Sequence, residues 1–375
     1  MKRVPSVPRF EWWNKVSATG LTYYAPDGVL YWDESVCYEF SPAEIDVLKS
    51  AARELQSLCE QAAQTIVERS LWNQLGVDEP LGAAIARSWR RRDQALLGRF
   101  DFAWDGAGPP KLLEYNADTP MALIEASQTQ LQWQRETAPA AGQWNGLHEA
   151  LVAAWREVPY SRIHFTGFLQ APEDAATLRY LAQTATAAGK ETVLLPIDRL
   201  GWHRRLNCFV DAERKPVERI FKLYPWDWLW QEGFTRHPDW PCELFIEPLW
   251  KLLWNSKSIL AILWKLFPDH PNLLPCYDEQ AALLGNYVRK PRLGREGCNI
   301  EYFRDGQRVA RTEGPYRKSG FVYQALAPAQ PFAAHHPTLG IWMISGQPHG
   351  LGIREDSRII IEDNSRFVPH RVVEI

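Results

Sequence analysis

The feature that most constrains this fold is a pair of short alternating segments separated by turn residues. Residues 99–104 have the sequence Arg-Phe-Asp-Phe-Ala-Trp, and residues 111–116 have Lys-Leu-Leu-Glu-Tyr-Asn, with Asp-Gly-Ala-Gly-Pro-Pro between them. A period of two is typical of a strand with one buried face. Glycine and proline between two such segments favour a reversal of the chain. The sequence therefore predicts a β-hairpin.

Polar side chains share one face of this predicted hairpin. The simplest closure of the turn gives three facing pairs: Trp104 with Lys111, Asp101 with Glu114, and Arg99 with Asn116. Directly opposed residues have Cβ atoms about 5 Å apart, and like charges at that distance are destabilising. Mg²⁺ would offset two such carboxylates, since it prefers carboxylate and amide oxygens and keeps substrate phosphates as further ligands. The pattern therefore favours a magnesium site at Asp101, Glu114 and Asn116.

Two other interpretations of these residues stay open on spacing alone. Arg99 and Asp101 could form a surface ion pair beside a solvated Glu114, and a register slip of one residue would separate the polar groups. A glycosidase would instead use Asp101 and Glu114 about 5–10 Å apart across a sugar cleft. An asparagine beside two opposed carboxylates suits a metal ion better.

Composition excludes several classes of function. The chain has 375 residues, 46% of them hydrophobic, which allows one large core or two to three smaller ones. A net charge of −3 gives no global attraction for nucleic acid or an anionic membrane, and no apolar run is long enough to cross a bilayer. The six cysteines lie far apart, in neither a zinc nor a disulfide pattern. We therefore expect a cytoplasmic protein with reduced thiols, of unknown oligomeric state, with no nucleic-acid or membrane partner.

Helix and strand signals along the chain predict a mixed α/β fold. A capping box at Ser41–Glu44 starts one helix, and Thr119-Pro120 is expected to cap another. Residues 147–197 alternate helix, strand, helix, strand, as in a parallel α/β unit. Strands are predicted at 219–224, 244–247, 287–290, 298–303 and 320–326, and one helix at 249–266. Two α/β regions around a cleft fit this order.

A second group of basic residues suits a phosphate. Residues 290–297 run from a strand into a turn that contains Lys290, Arg295 and two glycines, although the Walker A pattern is absent. Backbone N–H groups at such a turn can cover phosphate oxygens. The alternatives are an ordinary surface turn and, for Lys257 in its apolar helix, an ammonium group that extends to solvent.

Several segments, in the same order along the chain, closely resemble the glutathionylspermidine synthase family. They are Gly98–Trp104, Leu112–Pro120, Trp250–Lys257, Val288–Gly297 and Gly352–Asp356. The resemblance implies an ATP-grasp fold, in which two α/β sheets enclose an ATP cleft in a single unit over residues 1–375. Approximate sub-regions would be the metal-binding core (1–140), a substrate region (141–225), an ATP lid (226–330) and a return to the core (331–375).

The resemblance also implies roles for individual residues. Asp101, Glu114 and Asn116 would bind two magnesium ions, and Arg99 would stabilise the transferring phosphoryl group, with Arg354 joining it or fixing a substrate carboxylate. The ATP site would comprise Arg99, Phe100, Asp101, Lys257, Lys290, Arg295, Gly297, Gln324 at the adenine, and a strand Ile359–Ile361. Substrates would be held by Thr119, Glu173, Asp174, Asp227 and Arg354. Glu173 and Asp174 would suit a polyamine, but they could equally be the favourable acids of a helix first turn.

The expected reaction is the ATP- and magnesium-dependent joining of a carboxylic acid to an amine through an acyl phosphate. The resemblance points to the branch that lacks an amidase domain, and it weakens after Thr119, where this chain has Pro-Met-Ala. Glutathione and spermidine are therefore hypotheses for the acid and the amine. A non-catalytic nucleotide-binding protein on the same scaffold is the alternative function.

Overall fold

The computed structural model of the protein describes residues 1–232, 242–283 and 285–374. Within these ranges the α-helices are α1 (Trp12–Ala18), α2 (Pro42–Arg69), α3 (Trp72–Leu75), α4 (Glu79–Arg91), α5 (Gln130–Thr137), α6 (Leu147–Arg156), α7 (Pro172–Ala187), α8 (Trp226–Gln231), α9 (Leu252–Asn255) and α10 (Ser258–Leu266). The strands are β1 (Lys2–Pro5), β2 (Val36–Phe40), β3 (Leu97–Ala103), β4 (Lys111–Asn116), β5 (Arg162–Gly167), β6 (Glu191–Pro196), β7 (Gly201–His203), β8 (Cys208–Val210), β9 (Ile220–Leu223), β10 (Phe245–Ile246), β11 (Cys276–Tyr277), β12 (Tyr287–Pro291), β13 (Glu301–Arg304), β14 (Gln307–Arg311), β15 (Phe321–Ala325), β16 (His336–Ile344), β17 (Gln347–Asp356), β18 (Arg366–Phe367) and β19 (His370–Val372).

The strands form a mixed α/β architecture of several sheets. The central sheet is antiparallel, with strand order β18-β17-β16-β3-β4, and a second antiparallel sheet has the order β11-β15-β12-β13-β14. A parallel sheet, β10-β9-β5-β6, carries α7 between two of its strands. The predicted parallel unit and second sheet are therefore confirmed, and β11 and β14 are additions that the pattern did not predict. In the described part of the chain the helices are too short or too polar to span a bilayer.

An aromatic core decides which face of the hairpin carries the polar residues. Phe100 is fully buried and its ring stacks on Tyr115 with centroids 3.8 Å apart, and Tyr115 in turn lies 5.3 Å from Trp254. A Cβ at Gly98 would lie only 2.8 Å from the Tyr115 ring, so this glycine admits the ring. Because strand residues alternate faces, Arg99 and Asp101 are directed to the opposite side.

The predicted hairpin register is right at its polar end. Arg99 faces Asn116, and Asp101 faces Glu114. The prediction that Trp104 faces Lys111 is wrong, because a β-bulge beyond Asp101 leaves Leu113 as an extra residue and Ala103 faces Lys111 instead. The bulge lies towards the turn, so it leaves the polar pairs intact.

The prediction of helix α2 is confirmed, whereas the helix predicted at 249–266 is not continuous. The Ser41–Glu44 capping box is present, with Ser41 Oγ accepting from the Glu44 N–H. The single helix predicted at 249–266 is wrong: a 3₁₀ turn and α9 end at Ser256, whose ψ of 126° is extended, and α10 starts afterwards. This break places Lys257 between two short helices.

Two other local predictions are wrong. No helix starts at Thr119, because Ala122 has φ +68° and helical structure begins only at residue 123. It continues through a π-helical turn, Glu125–Thr129, into α5. Residues 359–361 are not a strand: β17 ends at Asp356, and the following loop is closed by the Glu362 N–H donating to Ser365 Oγ at 2.9 Å.

Candidate active site

The polar face of the β3–β4 hairpin forms the floor of the site. Arg99 holds Asp101 through two hydrogen bonds, Nε to Oδ1 at 2.6 Å and Nη2 to Oδ2 at 2.9 Å. Its Nη1 donates to the carbonyl of Met121. A two-pronged contact of this kind fixes both side chains. The surface-pair alternative is excluded, since Arg99 and Asp101 side chains are only 13% and 8% exposed.

Two lysines from the opposite side of the cleft converge on the hairpin. Lys257 Nζ lies 2.8 Å from Glu114 Oε2 and donates to the Gly294 carbonyl, also at 2.8 Å. Lys290 Nζ donates to the Leu113 carbonyl at 3.0 Å and to Gln324 Oε1 at 2.7 Å. Lys257 is therefore directed into the site, and not to solvent, because the helix breaks at Ser256.

The donor set suits a hard divalent cation. Asn116 Nδ2 lies 2.8 Å from Asp101 Oδ2 and 3.1 Å from Glu114 Oε1, so the three side chains meet at one point. The same amide can present its oxygen instead, which would complete a set of two carboxylates and one amide oxygen, as Mg²⁺ prefers. Among the described residues no group of three or more His, Cys, Asp and Glu side chains forms a metal position. Asp101, Glu114 and Asn116 do not count as such a group, because one of the three side chains is an asparagine.

The electrostatics of the two carboxylates differ. Burial raises the pKa of Asp101 against the opposing effect of Arg99. Burial acts on Glu114 in the same direction, but Lys257 and Lys290 outweigh it and hold the Glu114 pKa at about 2. Burial also lowers the pKa of Lys290 to about 8. Glu114 is thus firmly ionised, and the nearby Lys290 loses its proton more easily than an ordinary lysine.

A cavity of about 330 Å³ lies above the hairpin. It is lined by most of the predicted site residues: Arg99, Asp101, Glu114, Asn116, Thr119, Glu173, Asp174, Lys257, Lys290, Arg295, Gly297, Arg354, Ile359, Ile360 and Ile361. These residues are spread over the chain from Arg99 to Ile361, and the fold brings them together around one cavity. The Ile359–Ile361 segment lines the cavity as a loop, and Thr119 lines it as irregular backbone, so both lack the secondary structure predicted for them.

Three predicted site residues do not line the cavity. The Phe100 side chain is on the aromatic face of β3. Gln324 lies behind Lys290 and orients it, and its Nε2 donates to the Leu112 carbonyl at 2.9 Å. The Asp227 carboxylate is bonded by Arg295.

Arg354 organises one wall of the cavity. Its Nη2 donates to the carbonyl of Glu362 and, at 2.7 Å, to that of Asp363. Its charge lowers the pKa of both Asp101 and Glu173, though burial acts more strongly on each. Arg354 therefore acts electrostatically on both Asp101, on the hairpin, and Glu173.

The acidic end of the cavity is formed by Glu173, Asp174 and Asp363, with Glu125 buried behind it. Burial and the nearby Glu125 and Asp363 raise the pKa of Glu173 to about 8, and burial raises that of Asp174 to about 6. Glu125 is fully buried in the π-helical turn, where the Tyr31 hydroxyl donates to it at 2.7 Å. A glutamate inside the apolar run 121–126 was the available signal for this residue. No signal in the sequence marks Tyr31 or Asp363 as part of the site.

Comparison with known proteins gives the family. The sequence profile described as Glutathionylspermidine synthase preATP-grasp matches residues 3–373. A Haemophilus influenzae protein provisionally named an acid–amine ligase is 36% identical over 393 residues, and the match covers all of both chains.

More distant relatives are longer than this chain. Trypanothione synthetase of Crithidia fasciculata is 29% identical over 84% of this chain, and the bifunctional glutathionylspermidine synthetase/amidase of Escherichia coli is 28% identical over 88%. The matches span 53% and 58% of those two proteins. Among solved structures, a glutathione synthetase-like effector from Globodera pallida matches with a TM-score of 0.57, covering 97% of this chain and 96% of its own, at 12% identity.

The fold and the ligases among its relatives define the class: an enzyme of the ATP-grasp type that joins an acid to an amine. The chain belongs to the glutathionylspermidine synthase family. The resemblance and the fold class expected from the sequence are therefore confirmed.

Proposed function

We propose that this protein uses ATP and magnesium to join a carboxylic acid to an amine through an acyl phosphate. The observation that carries the proposal is the convergence of Lys257 and Lys290 on a hairpin face that already holds Arg99, Asp101, Glu114 and Asn116. Lysines on one side of the cleft and carboxylates on the other suit a nucleoside triphosphate with its bound metal ion. Relatives named as ligases support the same chemistry.

In the proposed reaction, a substrate carboxylate oxygen attacks the γ-phosphorus of ATP. The bond from phosphorus to the β,γ-bridging oxygen breaks, and ADP leaves. The amine lone pair then attacks the acyl carbon, the bond between that carbon and the phosphate oxygen breaks, and the proton lost from the amine nitrogen passes to the departing phosphate or to water. Such chemistry depends on positioning and charge neutralisation and requires no protein nucleophile.

Each group of the site has a role in this proposal. Asp101, Glu114 and Asn116 would hold magnesium, two ions by analogy with the family, which supplies charge neutralisation at the phosphates. Arg99 and Arg354 would stabilise the transferring phosphoryl group or the acid's carboxylate. Lys257, Lys290 and the turn at Arg295 and Gly297 would contact ATP phosphates.

The proposed acid and amine rest on the relatives and on the acidic end of the cavity. The Escherichia coli relative is named for glutathionylspermidine, and we propose glutathione or a related peptide as the acid and a polyamine as the amine here. Glu173 and Asp174 line the same cavity as the hairpin residues, and there ionised carboxylates would hold a cationic amine.

The test is ADP release from magnesium-ATP with a panel of γ-glutamyl peptides and amines. We expect release that depends on both substrates and is abolished by Asp101→Ala. Asp46→Ala is the matched control, because its side chain is 73% exposed on α2. Nucleotide binding without turnover for any pair would instead indicate the non-catalytic alternative, and activity without magnesium would contradict the proposal.

A second assay concerns the amine. Glu173→Gln is expected to raise the KM for the amine and leave nucleotide affinity unchanged. Equal loss of both would contradict a role in amine binding.

A further inference from the structure

Asp118 is a buried carboxylate that lies just beyond the metal-binding strand. Both Asp118 and its ion-pair partner Lys222, on β9, have fully buried side chains. The second oxygen of Asp118 accepts from the backbone N–H of Trp226 at 2.8 Å, and the Lys222 ammonium lies 4.6 Å from the centre of the Trp226 ring. The start of α8 is thereby tied to a residue two positions after Asn116.

The next residue of α8 reaches the phosphate side of the cleft. The Asp227 carboxylate accepts from both terminal nitrogens of Arg295, Nη1 at 3.3 Å and Nη2 more closely. The Asp227 and Arg295 side chains are 12% and 14% exposed, and the guanidinium also lies 5.3 Å from the Trp228 ring. Arg295 is therefore held on two sides by α8.

The loop that bears Arg295 is anchored at its end, where Thr312 Oγ1 donates to the Gly297 carbonyl at 2.5 Å, and at its beginning. The Arg292 carbonyl accepts from the Lys257 N–H at 2.8 Å, and the Gly294 carbonyl accepts from Lys257 Nζ. Beyond Gly294, the ion pair with Asp227 fixes the side chain of Arg295, which lines the cavity. Gly297 follows two residues later, packed against the Ile361 carbonyl at φ +69°.

We propose that Asp227 is a positioning residue, which holds Arg295 and its loop in place for the nucleotide phosphates. Asp118 holds α8 in register with the metal-binding strand, so one short helix sets the distance between the metal ligands and the phosphate loop. This inference rests on the proposed function, since it assumes that the cleft binds a nucleotide. It gives Asp227 a different role from a direct contact with the acid or amine.

A double-mutant cycle on nucleotide binding tests the role of Asp227. The probe is the non-hydrolysable analogue adenylyl imidodiphosphate with magnesium, measured by calorimetry without acid or amine. Asp227→Asn is expected to weaken binding about tenfold in the wild-type background, because it removes the charged half of the ion pair. In an Arg295→Gln background the same change should alter the Kd by no more than about twofold, since residues in direct contact are non-additive.

The matched control is Asp278→Asn, which removes the partner of Arg292 at the outer base of the same loop, where the two atoms are 3.2 Å apart. It should change the Kd by no more than about twofold. If Asp227→Asn folds poorly, Asp227→Glu keeps the charge and displaces the carboxylate, and a several-fold loss is expected there as well.

The outcomes separate the two proposals. Unchanged affinity in Asp227→Asn or Asp227→Glu, or an equal loss in both Arg295 backgrounds, overturns the positioning role while wild-type binding keeps the proposed function intact. If the wild-type protein binds no nucleotide, the proposed function fails and this inference with it.

A second pair of variants tests Asp118 without leaving a buried charge unpaired. Asp118→Asn with Lys222→Met removes the ion pair but keeps an oxygen for the Trp226 N–H, whereas Asp118→Leu with Lys222→Met removes both. We expect the first double variant to bind the analogue within about threefold of wild type and the second to bind at least tenfold more weakly. Equal affinities in the two double variants would contradict the tie through Trp226.

Discussion

Glu173 gives a prediction that depends on no substrate. Its pKa is raised from 4.5 to about 8 by burial and by the nearby Glu125 and Asp363. The folded protein therefore keeps a proton that the unfolded chain releases between these pH values. The corresponding stability is complete below pH 4.5 and is lost as the pH rises through 8.

The magnitude follows from the difference between the two pKa values. A difference of about 3.5 corresponds to about 5 kcal/mol of unfolding free energy when both states are ionised. Because Glu173 lines a cavity and is partly exposed, solvent screening lowers the expected effect to about 2 kcal/mol. Glutamine cannot ionise, so Glu173→Gln should match wild type near pH 5 and exceed it in stability at pH 9.

Thermal unfolding at pH 5 and pH 9 measures this difference. For a chain of 375 residues, about 2 kcal/mol corresponds to a Tm about 2–3 °C higher than wild type at pH 9. Asp174, whose pKa is raised to about 6, titrates in both proteins, so its contribution to stability cancels in the comparison. Glu149→Gln is the control, because Glu149 also lies in a helix first turn but is exposed, and it should match wild type at both pH values.

A Tm difference between Glu173→Gln and wild type that is the same at pH 5 and pH 9 would show that Glu173 does not lose a proton in this range. A wild-type protein that is the more stable of the two at pH 9 would also contradict the prediction. The predicted outcome bears on function as well, since a neutral Glu173 must lose its proton before it can hold a cationic amine. Amine affinity is therefore expected to rise between pH 7 and pH 8.

Three further predictions concern the nucleotide side. Lys257→Met should weaken binding of the magnesium–nucleotide analogue at least tenfold in calorimetry, because it removes the cation that pairs with Glu114; unchanged affinity would contradict a phosphate role. Nucleotide affinity should fall as the pH rises through 8, where Lys290 loses its charge, and Lys290→Arg, which stays charged, should abolish this dependence; a persistent dependence would assign it to another group. Gly297→Ala should weaken binding severalfold, because its φ is +69° and a Cβ would clash with the Ile361 carbonyl; wild-type affinity would show that the loop moves freely.

The sequence predicted the hairpin well because its pattern has a simple physical origin. Phe100 and Tyr115 stack in the core, so the residues that alternate with them must lie on the other face. The bulge at Leu113 was not predictable from spacing, because alternation gives the face of a strand but not an extra residue near a turn.

Other parts of the site depend on contacts between distant segments. The break at Ser256 opposes a strong apolar pattern, and without it Lys257 would not meet Glu114. Likewise, the ion pair between Asp227 and Arg295, which are 68 residues apart, leaves no local signal in the sequence. For Glu125 the sequence did hold a signal, a single acid inside the apolar run 121–126, but its contact with Tyr31, 94 residues away, leaves no trace in the local pattern.

The central claim is that the carboxylate of the acid becomes an acyl phosphate. The most direct measurement is turnover with an acid labelled by ¹⁸O in its carboxylate, followed by mass spectrometry of the phosphate released. The proposed mechanism should place one ¹⁸O atom in the inorganic phosphate for each amide bond formed, because the carboxylate oxygen that attacks the γ-phosphorus leaves with it. Unlabelled phosphate would exclude an acyl phosphate, and ¹⁸O recovered in AMP would indicate an acyl adenylate instead.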